Sequence, residues 1–125
     1  MNYTAEIELQ VTEKLYDLTI LEEITDGDTE FIISLAGIYL DTIPLNSQQM
    51  VQAAEAKDWL TVSKIAHKIK PTIDSMNIMS ISSDIRTLET DAKNKVNTGI
   101  LGKIAVKVDT VINIVAQQLK YDYNI

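Results

Sequence analysis

Apolar residues recur every three or four positions along the last quarter of the chain, and this pattern is the strongest constraint on its fold. The positions are Leu101, Ile104, Ala105, Val108, Val111, Ile112, Val115 and Leu119. Their spacing matches one face of an α-helix with about 3.6 residues per turn. A helix with one apolar face must bury that face against other elements. The pattern therefore predicts a long helix, from about residue 100 to residue 121, in a helical domain.

Shorter periodic segments predict further helices upstream. The first four cover Leu15–Thr25, residues 28 or 29 to about Thr42, Pro44 to about Lys57, and Trp59 to about Met76. A fifth begins at Ser80, Ser82 or Ser83 and reaches Val96, and Asn97–Gly99 end it. Pro44 is expected to separate the second helix from the third. Asp58 is expected to cap the helix that starts at Trp59. Leu45, Met50, Ala53 and Ala54 are predicted to point inward.

Short connections between long helices imply antiparallel neighbours. We expect an all-α fold, an up-and-down antiparallel four-helix bundle over residues 15–125, with a short extra N-terminal helix or arm. Residues 1–14 form the arm in this scheme. Tyr3, Ala5, Ile7, Leu9 and Val11 alternate with polar residues as in a strand. We expect an extended arm on the bundle, with a frayed terminus or a strand paired with another copy as alternatives.

Composition limits the class of protein. At 125 residues with no cysteine, the chain predicts one domain without disulfides. It has no apolar run near 18 residues and no signal-peptide pattern, so we expect a cytoplasmic protein without a membrane partner. The net charge of −7 argues against a nucleic-acid binder. The charge is uneven, −9 over residues 1–50 and +2 over the rest, and Lys57, Lys64, Lys68 and Lys70 give a local basic area.

The single histidine, His67, lies in the segment A-H-K-I-K-P-T-I-D-S-M-N, residues 66–77. On a helix, the apolar residues around it fall roughly 160–240° away, so the imidazole should face water. Lys64 and Lys70 lie three residues to either side, within reach of one small anion bound at the imidazole. An imidazole between two ammonium groups suits phosphate.

Other interpretations of this histidine remain open at this point. A lone histidine is commonly a core or surface residue without chemistry, and flanking lysines are commonly a solvated face. A zinc site is disfavoured because the chain has no cysteine and no second histidine. A Ser/His/Asp triad is possible in composition, but nothing resembles a nucleophile elbow or an oxyanion loop.

The segment resembles the signature of histidine phosphotransfer (HPt) domains, commonly A-H-x-L-K-G-x-x-x-x-L-G. Ala66, His67, Ile69 and Lys70 match it, and the likeness extends over roughly residues 15–78. Pro71 replaces a frequent glycine, and it cannot donate to the carbonyl of His67, so a kink or loosened turn is expected. Asn77 replaces a later glycine, and asparagine tolerates the left-handed conformation of a helix end.

The resemblance implies a phosphoryl carrier of a two-component phosphorelay rather than an enzyme with its own turnover. His67 would be the phosphoacceptor. Lys70 would screen the phosphate charge, and Lys64 is a second candidate for that role. The implied partners are receiver domains of response regulators or hybrid histidine kinases, which would dock on Leu60, Ser63, Lys68, Pro71 and Asp74. The chain would need no cofactor or metal of its own, since the receiver brings a divalent metal ion, and we expect a monomer. The alternative is a silent helical module that binds a receiver without transferring phosphate.

Overall fold

The structure is a computed structural model that describes residues 13–125, and over this range it is all-helical with no strand. The helices are α1 (Thr19–Ile24), α2 (Thr29–Glu55), α3 (Trp59–Ser75), α4 (Ser82–Asn94) and α5 (Thr98–Tyr123), with a 3-10 turn at Met79–Ile81 before α4. The all-α prediction is confirmed for this range. The alternating segment at residues 3–11 lies outside the described residues.

The four long helices share one apolar core. Helix α2 packs against α3 and α5, and α4 packs against the same two helices. The fully buried large side chains include Tyr39, Met50, Ile69, Ile73, Met76, Ile85, Leu88, Leu101, Ile112 and Leu119. Each long helix therefore buries one face, as the amphipathic patterns predict. In residues 13–125 no helix combines the length and apolar character needed to cross a membrane.

The predicted break at Pro44 is wrong, because α2 continues through it for 27 residues. Pro44 cannot donate a hydrogen bond to the carbonyl of Leu40 four residues earlier. Tertiary contacts on both sides offset this loss: the Tyr39 hydroxyl donates to the Ile112 carbonyl at 2.8 Å, and Ser47 Oγ donates to Asp109 Oδ1 at 2.5 Å. The continuous helix also sets a register that leaves Leu45 exposed rather than inward.

Helix ends follow the local chemistry of the sequence. Asp28 and Asp58 cap α2 and α3 by accepting hydrogen bonds from the backbone N–H groups of Phe31 and Thr61. Asn77 has φ of 52°, and the amides that follow α3 return to the carbonyls of its last turn. The expectation of a left-handed helix end at Asn77 is therefore confirmed.

The end of α4 lies earlier than the sequence pattern suggests. Lys95 takes the left-handed conformation, with φ of 54°, so the helix stops at Asn94. The prediction that this helix reaches Val96 is therefore wrong, and Val96 lies beyond the helix end and is exposed. Residues Thr98 and Gly99, expected in the break before the last helix, form the first turn of α5.

The segment before α1 is tied to the ends of α3 and α5. Gln118 of α5 clamps its start: Oε1 accepts from the amide of Leu15 at 2.9 Å, and Nε2 donates to the carbonyl of Glu13 at 2.8 Å. The amide of Asp17 donates to the carbonyl of Met76 at 2.9 Å. The predicted helix at Leu15–Thr25 is shorter than expected, because its first four residues are not helical and these hydrogen bonds hold them against α3 and α5.

Candidate functional site

Helix α3 presents His67 to solvent. The imidazole side chain is 74% exposed. On the opposite face Ile69 and Met76 are fully buried, and Ile65 is half-buried. The burial of that face fixes the rotation of α3, so the outward direction of His67 follows from the apolar periodicity of the helix.

A carboxylate from the neighbouring helix holds the imidazole. Glu89 of α4 places Oε1 2.6 Å from His67 Nδ1, and its other oxygen, Oε2, accepts a hydrogen bond from Lys70 Nζ, also at 2.6 Å. The backbone carbonyl of Glu89 accepts from the buried hydroxyl of Ser63 at 2.7 Å. Ser63, His67 and Lys70 are four and three residues apart, so one stripe of α3 converges on Glu89.

The contact between Glu89 and His67 determines which atoms of the two side chains carry protons. The hydrogen bond from Lys70, and then that from His67, hold the pKa of Glu89 below its ordinary value of 4.5, so it is ionised at neutral pH. An ionised carboxylate only accepts hydrogen bonds, so Nδ1 of His67 must carry a proton to donate to it. In the neutral imidazole the lone pair then lies on Nε2. Among the residues described, none makes a hydrogen bond to Nε2.

The lysines in the basic area around His67 differ in whether they form an ion pair with a carboxylate. Lys70 is partly buried, with 28% of its side chain exposed, and is paired with Glu89. Lys64 and Lys68 are exposed and form no ion pair with any residue in the described range. Asp74 pairs with Arg86 of α4 at 2.8 Å. Glu89 therefore offsets the charge of Lys70, whereas no carboxylate of the described residues pairs with Lys64.

The predicted docking residues divide by exposure. Leu60, with 56% of its surface exposed, and Pro71 lie on the accessible face of α3 with Lys68. Ser63 does not belong with them, since it is only 6% exposed and its hydroxyl joins α3 to α4. Its assignment to a docking surface is therefore withdrawn.

Glu89 is the site residue that reasoning from the sequence missed. It lies four residues after Ile85 and three before Ala92, both fully buried, so it occupies the edge of the apolar stripe of α4. A carboxylate at that edge faces the neighbouring helix, where it needs a positive or donating partner. The position of Glu89 at the edge of the stripe can be read from the sequence. Which side chains of α3 pair with it depends on how α3 and α4 pack together.

Within residues 13–125 no group of three or more His, Cys, Asp or Glu side chains is placed to hold a metal ion. No protein-family model matches the chain, and comparisons with curated proteins and with solved structures also found no match. The case for a function therefore rests on the geometry at His67 and on the sequence resemblance.

Proposed function

We propose that this protein is a histidine phosphotransfer carrier that accepts a phosphoryl group from a receiver-domain aspartate on Nε2 of His67 and passes it to another receiver. The observation that supports this most strongly is the pairing of Glu89 with His67. The carboxylate leaves Nε2 as the nucleophilic nitrogen, and the surrounding surface leaves that nitrogen open to a large partner. A phosphorylated residue of another protein needs such an exposed acceptor.

The transfer step uses the lone pair of Nε2. It attacks the phosphorus of the receiver's aspartyl phosphate, a P–N bond forms, and the P–O bond to the aspartate breaks, so that the aspartate leaves as a carboxylate. The imidazole ring, still protonated at Nδ1, gains positive charge as the bond forms. Glu89 already accepts the Nδ1 hydrogen bond and stabilises that charge without rearrangement. Transfer to the next receiver reverses these changes.

The lysines serve the phosphorylated state. A phosphoryl group on Nε2 brings negative charge next to the carboxylate of Glu89, which opposes it. Lys70, which holds Glu89, reduces that repulsion, and the exposed Lys64 is free to approach the phosphate oxygens. Both residues thus screen charge, Lys70 from the inner side and Lys64 from solvent.

The proposed architecture is an up-and-down antiparallel four-helix bundle of α2, α3, α4 and α5, with α1 as the short extra helix. Receivers would dock on the exposed face of α3, over Leu60, Lys68 and Pro71, with the paired Asp74 at its edge. The chain works in the cytoplasm in this proposal, as a monomer, and needs no cofactor of its own. The divalent metal ion of the reaction belongs to the receiver.

The test is incubation with a receiver domain that carries radiolabelled phosphate on its aspartate, in the presence of Mg²⁺. We expect label on this protein that is lost in acid and retained in base, as phosphohistidine requires. His67→Gln should accept none while it keeps the circular dichroism spectrum and binds the receiver. If the wild-type protein binds the charged receiver and takes no phosphate, the silent binding module is the correct function instead.

A further inference from the structure

A cleft lies where α2 ends and where α3 and α5 begin. It has a volume of about 580 Å³ and is open to solvent on one side. Its apolar lining comes from Val51 and Ala54 of α2, Trp59 of α3, and Gly102 and Val106 of α5. A volume of this size falls within the range of pockets that hold small molecules, about 300–1,000 Å³.

Two glycines of α5 leave the cleft open. Gly99 and Gly102 are one turn apart and both line it. A Cβ atom built on either residue would meet no atom within 4 Å, so both positions border free space. A larger side chain at Gly102 would therefore enter the cleft without disturbing the backbone of α5.

The charges at the cleft are mainly positive, in a chain whose net charge is −7. Lys57 and Lys103 both line it, against the single carboxylate of Glu55. Neither lysine forms an ion pair in the part of the chain that the structure describes. Asn97 provides no side-chain cap for α5, so the positive end of that helix dipole adds to the same charge.

We propose that this cleft is a binding site for small amphipathic anions, that is, molecules with an apolar body and one anionic group. The apolar body packs against Val51, Trp59 and Val106, and the anionic group lies between Lys57 and Lys103. The apolar lining favours contact with an apolar ligand surface, because that contact removes both surfaces from water. The two unpaired lysines favour a negatively charged group on the same ligand. Of the residues in the basic area around His67 the cleft shares only Lys57, to which the proposed phosphotransfer assigns no role, so the inference stands apart from that proposal.

The test uses a pair of fluorescent probes, 1-anilinonaphthalene-8-sulfonate and N-phenyl-1-naphthylamine, which share an aromatic body and differ in the sulfonate. Trp59 is the only tryptophan of the chain and lines the cleft, so energy transfer from it reports binding of a probe, and the variants below locate the bound probe. We expect saturable binding of one sulfonate probe per protein, with quenching of Trp59 emission. The uncharged probe should bind more weakly.

Two sets of variants locate the site. Gly102→Leu should weaken saturable binding about tenfold or more, because the leucine side chain would take up part of the space that the probe occupies. Gly37→Leu is the matched control, because Gly37 also lies in a helix and also borders free space but does not line the cleft. The double variant Lys57→Gln, Lys103→Gln should weaken binding of the sulfonate probe about fivefold or more, as loss of exposed charge interactions does, and should leave the uncharged probe unaffected. Lys93→Gln is the control for loss of one exposed lysine.

Thermal unfolding of each variant shows whether it is folded, and the lysine variants remain informative if Gly102→Leu does not fold. The proposal is overturned if no saturable binding occurs or if Gly37→Leu and Gly102→Leu have equal effects. It is also overturned if both probes bind equally and the lysine substitutions change neither, because the site would then not select anions.

Discussion

In the candidate site, Glu89 acts only through its hydrogen bond to His67. Glu89 does not meet the partner protein in our proposal, yet its carboxylate sets which nitrogen of His67 is nucleophilic. The sequence indicates His67 and its outward direction, because both follow from helical periodicity around one residue. It does not indicate Glu89 as the partner, since the contact joins residues 22 positions apart and exists only when α3 and α4 pack in this register.

We predict that Glu89→Gln slows phosphoryl transfer to His67 by about ten- to a hundredfold, which is the loss expected when a charge-assisted hydrogen bond is removed. The glutamine amide has a similar shape, but it does not carry the charge that holds the Nδ1 proton and stabilises the charged ring. Stopped-flow or quench-flow measurement of transfer from a phosphorylated receiver provides the rate. Asp84→Asn is the matched control, because the side chain of Asp84 is as exposed as that of Glu89, at 20%, and pairs with Lys107 rather than with His67. Equal rates for the two variants would contradict the role assigned to Glu89.

The same carboxylate predicts a pH dependence of stability. The pKa of Glu89 is lower in the folded protein than its ordinary value of 4.5, so its interactions favour the folded state above that pH and are lost as the pH falls through the folded-state value. The difference in free energy of unfolding between the wild-type protein and Glu89→Gln should therefore be at its full value above pH 4.5 and shrink as the pH falls below 4.5. Urea denaturation on both sides of this pH measures it. A difference that grows as the pH falls below 4.5 would show that the interaction has the opposite sign.

At the scale of whole helices, α2 and α3 both contain an internal proline. From the sequence, Pro44 is expected to separate two helices and Pro71 to kink or loosen one. Pro44 was expected to end a helix, and it does not, because buried residues on both sides of it hold α2 against α3 and α5. Local propensity is weaker than this tertiary burial, which no single segment of sequence reveals. By contrast, the caps at Asp28 and Asp58 and the end at Asn77 were predictable because they depend on residues within a single turn.

We predict that Pro71→Ala raises the free energy of unfolding by about 1–3 kcal/mol, since it restores an N–H donor to the His67 carbonyl. Pro71→Gly should gain less, because glycine costs about 1 kcal/mol relative to alanine in a helix. Both variants should keep phosphoryl transfer, because neither alters Nε2 or Glu89. Urea denaturation and the transfer assay measure these outcomes. Loss of transfer with intact stability would show instead that the proline ring itself shapes the docking surface.

In the whole molecule, the two proposed sites occupy different regions of one helical scaffold. The imidazole of His67 lies in the middle of α3, and the cleft lies where α3 begins. The start of the described chain is fastened at the opposite end of α3, near Met76, and to Gln118 of α5. Amphipathic periodicity predicts an all-helical domain of this kind, but it does not predict the cleft, which depends on where Gly99 and Gly102 of α5 meet the end of α2.

The central claim is that His67 accepts phosphate on Nε2 while Glu89 holds the proton on Nδ1. Because the chain has one histidine, labelling with ¹⁵N-histidine yields two ring-nitrogen signals, whose two-bond proton correlations identify the protonated and the phosphorylated atom. Before reaction we predict a protonated Nδ1 and an unprotonated Nε2, and after incubation with a phosphorylated receiver we predict phosphate on Nε2. Phosphate on Nδ1, or ring signals unchanged by a fully charged receiver, would contradict the account.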